Sequence, residues 1–261
     1  MKGFIKFLLN KIPRKYLIRG SYFFRIFSQL IYKGNKVECP VCGGHFRKFL
    51  PYGYSTVRSN ALCPKCLSLE RHRLIWLFLK EKTNFFQDPL KVLHIAPEQC
   101  FEERFKKLTN LTYLTADLES PLADYKCDVQ KMPFKDNSFD VIICNHVLEH
   151  VDNDILAISE IIRVMKPGAF SVLLVPNDFK RKETFEDNSI TSKKERAEIF
   201  GQYDHKRIYG LDYPERLRKS GFFVPQTNFL DEMSDDQKMR YSLPMREFMF
   251  AYKKPVTTEQ F

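Results

Sequence analysis

Residues 128–151 read DVQKMPFKDNSFDVIICNHVLEHV. An acidic residue opens the stretch, an apolar run follows from Phe139 to Cys144, and a polar tip closes it over Asn145–His150. Downstream, NDILAISEIIRVMK (153–166) carries Ile155, Ile158, Ile161, Ile162 and Met165 at helical spacing, and AFSVLLVP (169–176) is a second apolar run. Strand, helix, strand in that order is a βαβ unit, the building block of a doubly wound parallel sheet covered by helices. Ligands of such sheets lie beyond the carboxyl ends of the strands. The helix is predicted to end at Lys166-Pro167-Gly168, because proline and glycine stop helices.

Working outward, KVLHIAPE (91–98) reads as the first strand and TYLTADLE (112–119) as the second. Asp117 follows the first turn by about 20 residues, where an acidic side chain can accept both ribose hydroxyl hydrogens of a bound nucleotide; Glu119 is the alternate. PERLRKSGF (214–222) reads as a helix stopped by Gly221, and FVPQTNF (223–229) and FMFAYKK (248–254) as a closing antiparallel pair of strands. With the segment at Asp128 counted as the third strand, the expected fold is α/β: a doubly wound, seven-stranded, Rossmann-like sheet.

The acidic Asp128, the PF-x-D-x-S-FD run over 133–140, the LEH tip at 148–150 and the R-x-x-KPG turn at 163–168 occur in an order that resembles class I S-adenosylmethionine-dependent methyltransferases, most closely the type 11 group. The resemblance covers about residues 90–255. It implies S-adenosylmethionine as cofactor. It also implies that Asp128 accepts from the adenine amino group, that Val129 adds a backbone contact, and that Asn145, His146, Glu149 and His150 stand where the methyl donor and acceptor meet. The group usually places an acidic residue and a glycine-rich turn after the first strand. This chain has His94, Ala96, Pro97 and Glu98 there and no glycine. A residue with a Cβ tolerates positive φ poorly, so a bound cofactor requires Ala96 to supply the close backbone approach. The same departure is the warrant for a non-catalytic binding module that has lost the cofactor.

Seven cysteines divide into four and three. Cys39-Pro-Val-Cys42 and Cys63-Pro-Lys-Cys66 are two C-x2-C knuckles, and Gly43-Gly44 follows the first. Two such knuckles make a closed tetrahedral site for a structural Zn2+. Disulfides would need an oxidising compartment, which the lack of a signal-peptide pattern argues against. Cys100, Cys127 and Cys144 are isolated and read as buried small hydrophobes. A helix is predicted from about Ser68 to Lys82, with Arg71, His72 and Arg73 forming either a solvated face or a cationic wall for a phosphate-bearing acceptor.

The formal charge of +10 is concentrated at one end. Residues 1–36 hold nine Lys/Arg and no Asp or Glu, so the remainder carries 42 − 9 = 33 basic against 32 acidic residues. A near-neutral body counts against RNA, whose binding rests on phosphate neutralisation. The arm interleaves its charges with Phe4, Phe7, Phe23, Phe24, Phe27 and Leu30, and Pro13 divides it into two helical pieces. No apolar run reaches the roughly 18 residues of a membrane span. A basic, aromatic-rich amphipathic helix fits an anionic membrane surface; packing on the protein or on a second copy is the other reading. The expected organisation is an arm over 1–36, a four-cysteine module and linker helix over 37–82, and a methyltransferase domain over 88–261, cytoplasmic and peripheral at the inner face of the membrane.

The connection from Asn177 to about Asp212 is long for a strand-to-helix loop and so reads as functional. Asp178, Thr184, Glu186, Asp187, Tyr203, Asp204, His205, Arg207 and Tyr209 make it rich in hydrogen-bonding groups. If the methylated atom is a hydroxyl oxygen, a base is needed, and His205, His146 and His150 are the candidates. The acceptor is expected to be a small molecule, a saccharide or a lipid-linked intermediate. An RNA (ribosomal RNA-type) methyltransferase and a non-catalytic module are the alternatives.

Overall fold

A computed structural model describes residues 14–53, 57–120 and 123–256. The first helical piece expected before Pro13 lies outside the described residues. The chain divides into two compact units, residues 1–73 with 235–244, and residues 74–234 with 245–261.

In the first unit, helix α1 (Arg14–Ile31) is followed by two hairpins. Strand β1 (Lys33–Cys39) pairs antiparallel with β2 (Gly44–Phe46), and β3 (Leu50–Tyr52) with β4 (Arg58–Leu62). The first cysteine knuckle is the β1–β2 turn, and the second follows β4. Arg25 Nε of α1 donates to the carbonyl of Lys65 at 2.7 Å, and Ser28 Oγ to that of Pro64 at 2.7 Å, so α1 is anchored on the second knuckle.

Helix α2 (Glu70–Lys82) crosses the division between the units after Arg73. Its first turn overturns the expected solvated face or cationic wall, because His72 and Arg73 are buried. The Arg73 guanidinium donates to the carbonyls of Ala61 and Ser68 (both 2.9 Å) and of Tyr241 and Ser242 (both 2.6 Å), and it lies 4.3 Å from the Phe49 ring centroid. Four of its five N–H groups hold β4, the second knuckle and the end of a later helix together, and full burial keeps the guanidinium from a phosphate.

The second unit holds a six-stranded sheet of β5 (Leu90–Ile95), β6 (Leu111–Asp117), β7 (Tyr125–Lys126), β8 (Phe139–Asn145), β9 (Met165–Leu174) and a later strand (Tyr252–Lys253). The order runs from that late strand through β9, β8, β5 and β6 to β7. All pairs are parallel except the late strand with β9. Between and after these strands lie α3 (Gln99–Phe105), α4 (Asp154–Val164), the short pair β10 (Phe185–Glu186) and β11 (Arg207–Ile208), α5 (Lys193–Ile199) and α6 (Tyr213–Lys219). Helix α7 (Asp235–Tyr241) belongs to the first unit, and the closing strand is β12 (Tyr252–Lys253). The sheet has six strands rather than the expected seven. The 223–229 run contributes only a single bridge, Phe223 to Lys253, because Pro225 has no N–H to extend a ladder.

The helix predicted over 153–166 ends two residues early. Met165 is already extended, and Lys166-Pro167-Gly168 lies inside β9 rather than capping α4. Asn153 caps the start, its side chain accepting from the Leu156 N–H. Ala157, Ile158, Ile161 and Val164 are buried on the sheet side of α4, in one cluster with Leu93, Ile142, Cys144 and Leu173 of the strands. Trp76 of α2 stacks on Phe105 of α3 with ring centroids 5.9 Å apart.

The spacing of the sequence motif has a mechanical reason. Arg163 NH1 donates to the Phe134 carbonyl (2.8 Å) and to Asp136 (2.7 Å), and NH2 to the Met132 carbonyl (3.0 Å). Lys166 Nζ bridges both oxygens of Asp140 at 2.8 and 2.9 Å. The basic residues of the R-x-x-KPG turn thus clamp the segment leading into β8 and Asp140 at the start of that strand.

Candidate functional site

Two groups of chemistry-bearing side chains stand out, one in each unit. In the first unit the Sγ atoms of Cys39, Cys42, Cys63 and Cys66 all lie within 4.8 Å of one another. Cys39 and Cys66 are 3.6 Å apart, and Cys42 and Cys63 3.7 Å. Tetrahedral thiolates at a Zn–S distance of about 2.3 Å stand roughly 3.8 Å apart, so the four sulfurs fit that ion. The Gly43 N–H donates to the Cys39 carbonyl at 2.8 Å and the Leu67 N–H to that of Cys63 at 3.0 Å, which closes each knuckle. Gly43 (φ 63°) and Leu67 (φ 60°) both sit in the left-handed region, so the second knuckle is built without glycine. Ser68 Oγ lies 3.1 Å from the Cys39 sulfur. Burial opposes ionisation of Cys39, but hydrogen bonds from the other cysteines and Ser68 outweigh it and hold the thiol well below its usual range. Cys100, Cys127 and Cys144 are buried and form no disulfide, with burial pushing Cys127 up to about 11.

In the second unit the expected cofactor residues sit at the carboxyl ends of neighbouring strands. His94 is fully buried in β5; its Nδ1 lies 2.8 Å from the Tyr113 hydroxyl and its Nε2 2.7 Å from Glu98. Glu98 opens α3, and its other oxygen accepts from Asn145 Nδ2 at 3.3 Å. His94, Glu98 and Asn145 therefore form one network across the β5 and β8 tips. The Asn145 Oδ1 is buried with no hydrogen-bond partner among the described residues.

Ala96 takes φ 51°, the left-handed conformation that a glycine would supply, and its N–H donates to the Ala116 carbonyl at 2.8 Å. His146, the residue after β8, takes φ 54° and donates to the Leu174 carbonyl at 2.7 Å. The adjacent parallel strands thus end in the same strained turn, with a Cβ at each. Strain of this kind, costing about 1–3 kcal/mol, collects at ligand sites.

Asp117 ends β6. One carboxylate oxygen accepts the N–H groups of Glu119 (2.8 Å) and Ser120 (2.7 Å), and the second accepts no hydrogen bond from the described residues. Asp128 opens a tight turn, accepting from the Gln130 N–H at 2.8 Å, and Val129 beside it is buried. The structure places Asp117 and Asp128 on consecutive segments, since the Cys127 N–H donates to the Asp117 carbonyl at 3.0 Å. Asp140 is structural, as its clamp by Lys166 shows.

The three histidines expected from distant parts of the sequence come together around Glu149. His146 Nδ1 is 3.2 Å and His150 Nε2 3.8 Å from the same carboxylate oxygen. The His150 and His205 ring centroids are 4.8 Å apart in a T-shaped arrangement. Burial pushes the Glu149 carboxyl up, but the His146 and His150 imidazoles outweigh it and hold it below the usual carboxylate range. Burial lowers the His205 imidazole. The family resemblance puts Glu149 of the LEH tip at this strand end but gives it no role; its burial among the imidazoles is what the sequence does not reveal.

The 205–209 segment is fixed by groups expected to bind an acceptor. The Lys206 N–H donates to the Glu149 carbonyl at 2.8 Å, and the buried Arg207 donates to the carbonyls of Val151 (2.7 Å) and Asp152 (3.0 Å). Tyr209 donates to the buried Asp154 at 2.8 Å, and Arg216 grips the same carboxylate at 2.7 and 2.8 Å. Arg207 and Tyr209 are fasteners that bring His205 to the strand tip.

Residues 91–173 match the type 11 methyltransferase-domain model, so the central segment of the chain is a methyltransferase domain. An uncharacterized protein of Methanocaldococcus jannaschii is 41% identical over 68 residues, 25% of this chain and 30% of that protein. The ubiquinone/menaquinone biosynthesis C-methyltransferase UbiE of Desulfotalea psychrophila is 40% identical over 48 residues, 18% of this chain and 20% of UbiE. The chain thus spans less than a third of the length of these curated relatives. The solved [4+2]-cyclase SpnF is 16% identical, covers 84% of this chain and 92% of its own, and superposes with a TM-score of 0.51. That likeness shows the shared fold alone.

Proposed function

We propose, from the premise that residues 91–173 are a methyltransferase domain, that this chain transfers a methyl group from S-adenosylmethionine to a small-molecule or lipid-linked acceptor. The observation that carries the reading is the left-handed Ala96 at the end of β5, which supplies without glycine the backbone turn the family uses against its cofactor. The unpartnered Asn145 Oδ1 beside it and the available Asp117 oxygen fit the same group. Asp117 would hold the ribose hydroxyls, Asp128 and Val129 the adenine, and the backbone at Ala96 the methionine end. The bound cofactor supplies a methyl group on a sulfonium, which leaves by in-line displacement. The chain's part is to align the acceptor and to receive the proton of a hydroxyl acceptor, for which His205 and His146 stand beside the strand tip.

The four-cysteine cluster is proposed to hold a structural zinc, since four sulfurs leave no open position for chemistry. The acceptor class rests on charge and on α1. The body outside residues 1–36 is close to neutral, and α1 exposes Phe23, Phe27 and Leu30 at 71%, 64% and 67%. A basic helix with that face suits the surface of an anionic membrane. No helix among the described residues is long and apolar enough to cross one.

The test is transfer of labelled methyl from S-adenosylmethionine into cell extracts divided into lipid, small-molecule and RNA fractions, with Asp117→Ala as the control. Label in the lipid or small-molecule fraction, lost in the variant, is expected. Label confined to RNA overturns the acceptor class, and no Asp117-dependent label in any fraction overturns the reading.

A further inference from the structure

Glu149 is 1% exposed; its nearest partner is His146, whose Nδ1 stands 3.2 Å from one carboxylate oxygen in a geometry short of a hydrogen bond, and neither oxygen accepts one from the described residues. A buried carboxylate left this way is costly and calls for a cation. The groups around it are imidazoles. His150 turns Nε2 toward Glu149, and its other nitrogen, Nδ1, stands 3.4 Å from an Asp204 oxygen. His205 Nδ1 stands 3.2 Å from the Phe200 carbonyl. A carbonyl only accepts, so Nδ1 carries the hydrogen and Nε2 keeps its lone pair. One ligand atom from each of Glu149, His150 and His205 lies within 4.8 Å of the others.

We propose that Glu149, His150 and His205 bind a divalent first-row transition-metal ion. Two neutral imidazoles and a carboxylate are the donor set such ions take, and a carboxylate or carbonyl on the far ring nitrogen is what orients a ligating histidine. Asp204 and the Phe200 carbonyl occupy those outer positions here. The arrangement is held from two sides: Lys206 and Arg207 bind the backbone of the 148–152 turn and so carry His205 to it. Three protein ligands leave positions open, unlike the four-sulfur cluster. The ion would therefore present a site for water or for a hydroxyl oxygen at the end of β8. That the open position takes an acceptor hydroxyl rests on the methyltransferase reading, and His146 is then the remaining proton acceptor because the ion takes the Nε2 lone pair of His205; the metal site itself does not rest on that reading.

The experiment is a titration of the full chain, first given a single equivalent of zinc, which the four thiolates take, with Co2+ followed by absorption and calorimetry, and separately with Mn2+. Expected is one further equivalent of Co2+ whose spectrum lacks sulfur-to-cobalt charge transfer. His150→Ala and His205→Ala, at positions only half-buried, should each weaken it at least ten-fold while keeping the wild-type melting curve without added metal. Glu149→Gln should do the same if it folds. Absence of a second equivalent for both Co2+ and Mn2+, or binding unchanged in both histidine variants, overturns the site. S-adenosylmethionine binding to the same samples separates the two ideas. Cofactor bound without the second metal ends this proposal and leaves the methyltransferase reading; metal bound without cofactor does the reverse.

Discussion

Ala96 and Asp154 show how single residues decide what this unit can do. Ala96 has the smallest side chain compatible with a Cβ at φ 51°. A β-branched residue there is a genuine outlier, so Ala96→Val should cost about 1–2 kcal/mol in a urea melt and weaken S-adenosylmethionine at least ten-fold; unchanged affinity would remove this turn from the binding site. Asp154 is a buried carboxylate shared by Arg216, Arg207 and Tyr209. Burial pushes it up, but the two arginines outweigh that and hold it below the usual carboxylate range. A depressed carboxyl contributes stability that is fully present above its unfolded pKa, about 4, and is lost as pH falls through its lower folded value. Asp154→Asn should therefore destabilise the chain by about 3 kcal/mol near neutral pH, and the difference from wild type should shrink as acid is added. A difference constant down to strongly acid pH would contradict the pairing. At this scale the sequence was legible where spacing carried the meaning, as in the four cysteines, whose sulfurs the fold brings within 4.8 Å of one another. It was not legible for Arg73, Arg207 and Tyr209, because a polar residue in a loop or first helical turn looks the same whether it faces a ligand or fastens distant carbonyls.

Among the elements, strand-ending turns matter more than strand interiors. The βαβ pattern over 128–176 forecast β8, α4 and β9, since apolar periodicity survives in a single sequence. The KPG turn misled because a Pro-Gly pair stops a helix and can also sit within a strand's first residues, as it does in β9. The seventh strand failed at Pro225, a residue whose missing N–H was visible from the outset. The knuckles were the clearest local signal, and they carry their own prediction. Chelation of zinc, or Cys63→Ser, should lower the melting temperature of the full chain, with return on zinc addition to the wild type alone. A melting curve indifferent to chelator would mean that the hairpins stand without the ion.

For the whole molecule, charge distribution and one exposed helix face set the expected surroundings. The arm supplies nearly all the net positive charge, and α1 keeps Phe23, Phe27 and Leu30 in solvent while Arg25 and Ser28 bind its own unit. Vesicles containing anionic lipid should sediment with the protein, less so as salt rises. Replacing Phe23, Phe27 and Leu30 together by serine should reduce binding at least ten-fold without moving the melting temperature by more than a few degrees. Equal binding to neutral vesicles, or none to either, would contradict the surface reading. The central claim concerns the cofactor, and it is tested most directly by calorimetry of the zinc-loaded full chain with S-adenosylmethionine and S-adenosylhomocysteine, beside Asp117→Ala. The account predicts micromolar binding of both at one site per chain, lost in the variant; a folded wild-type chain that binds neither would contradict it.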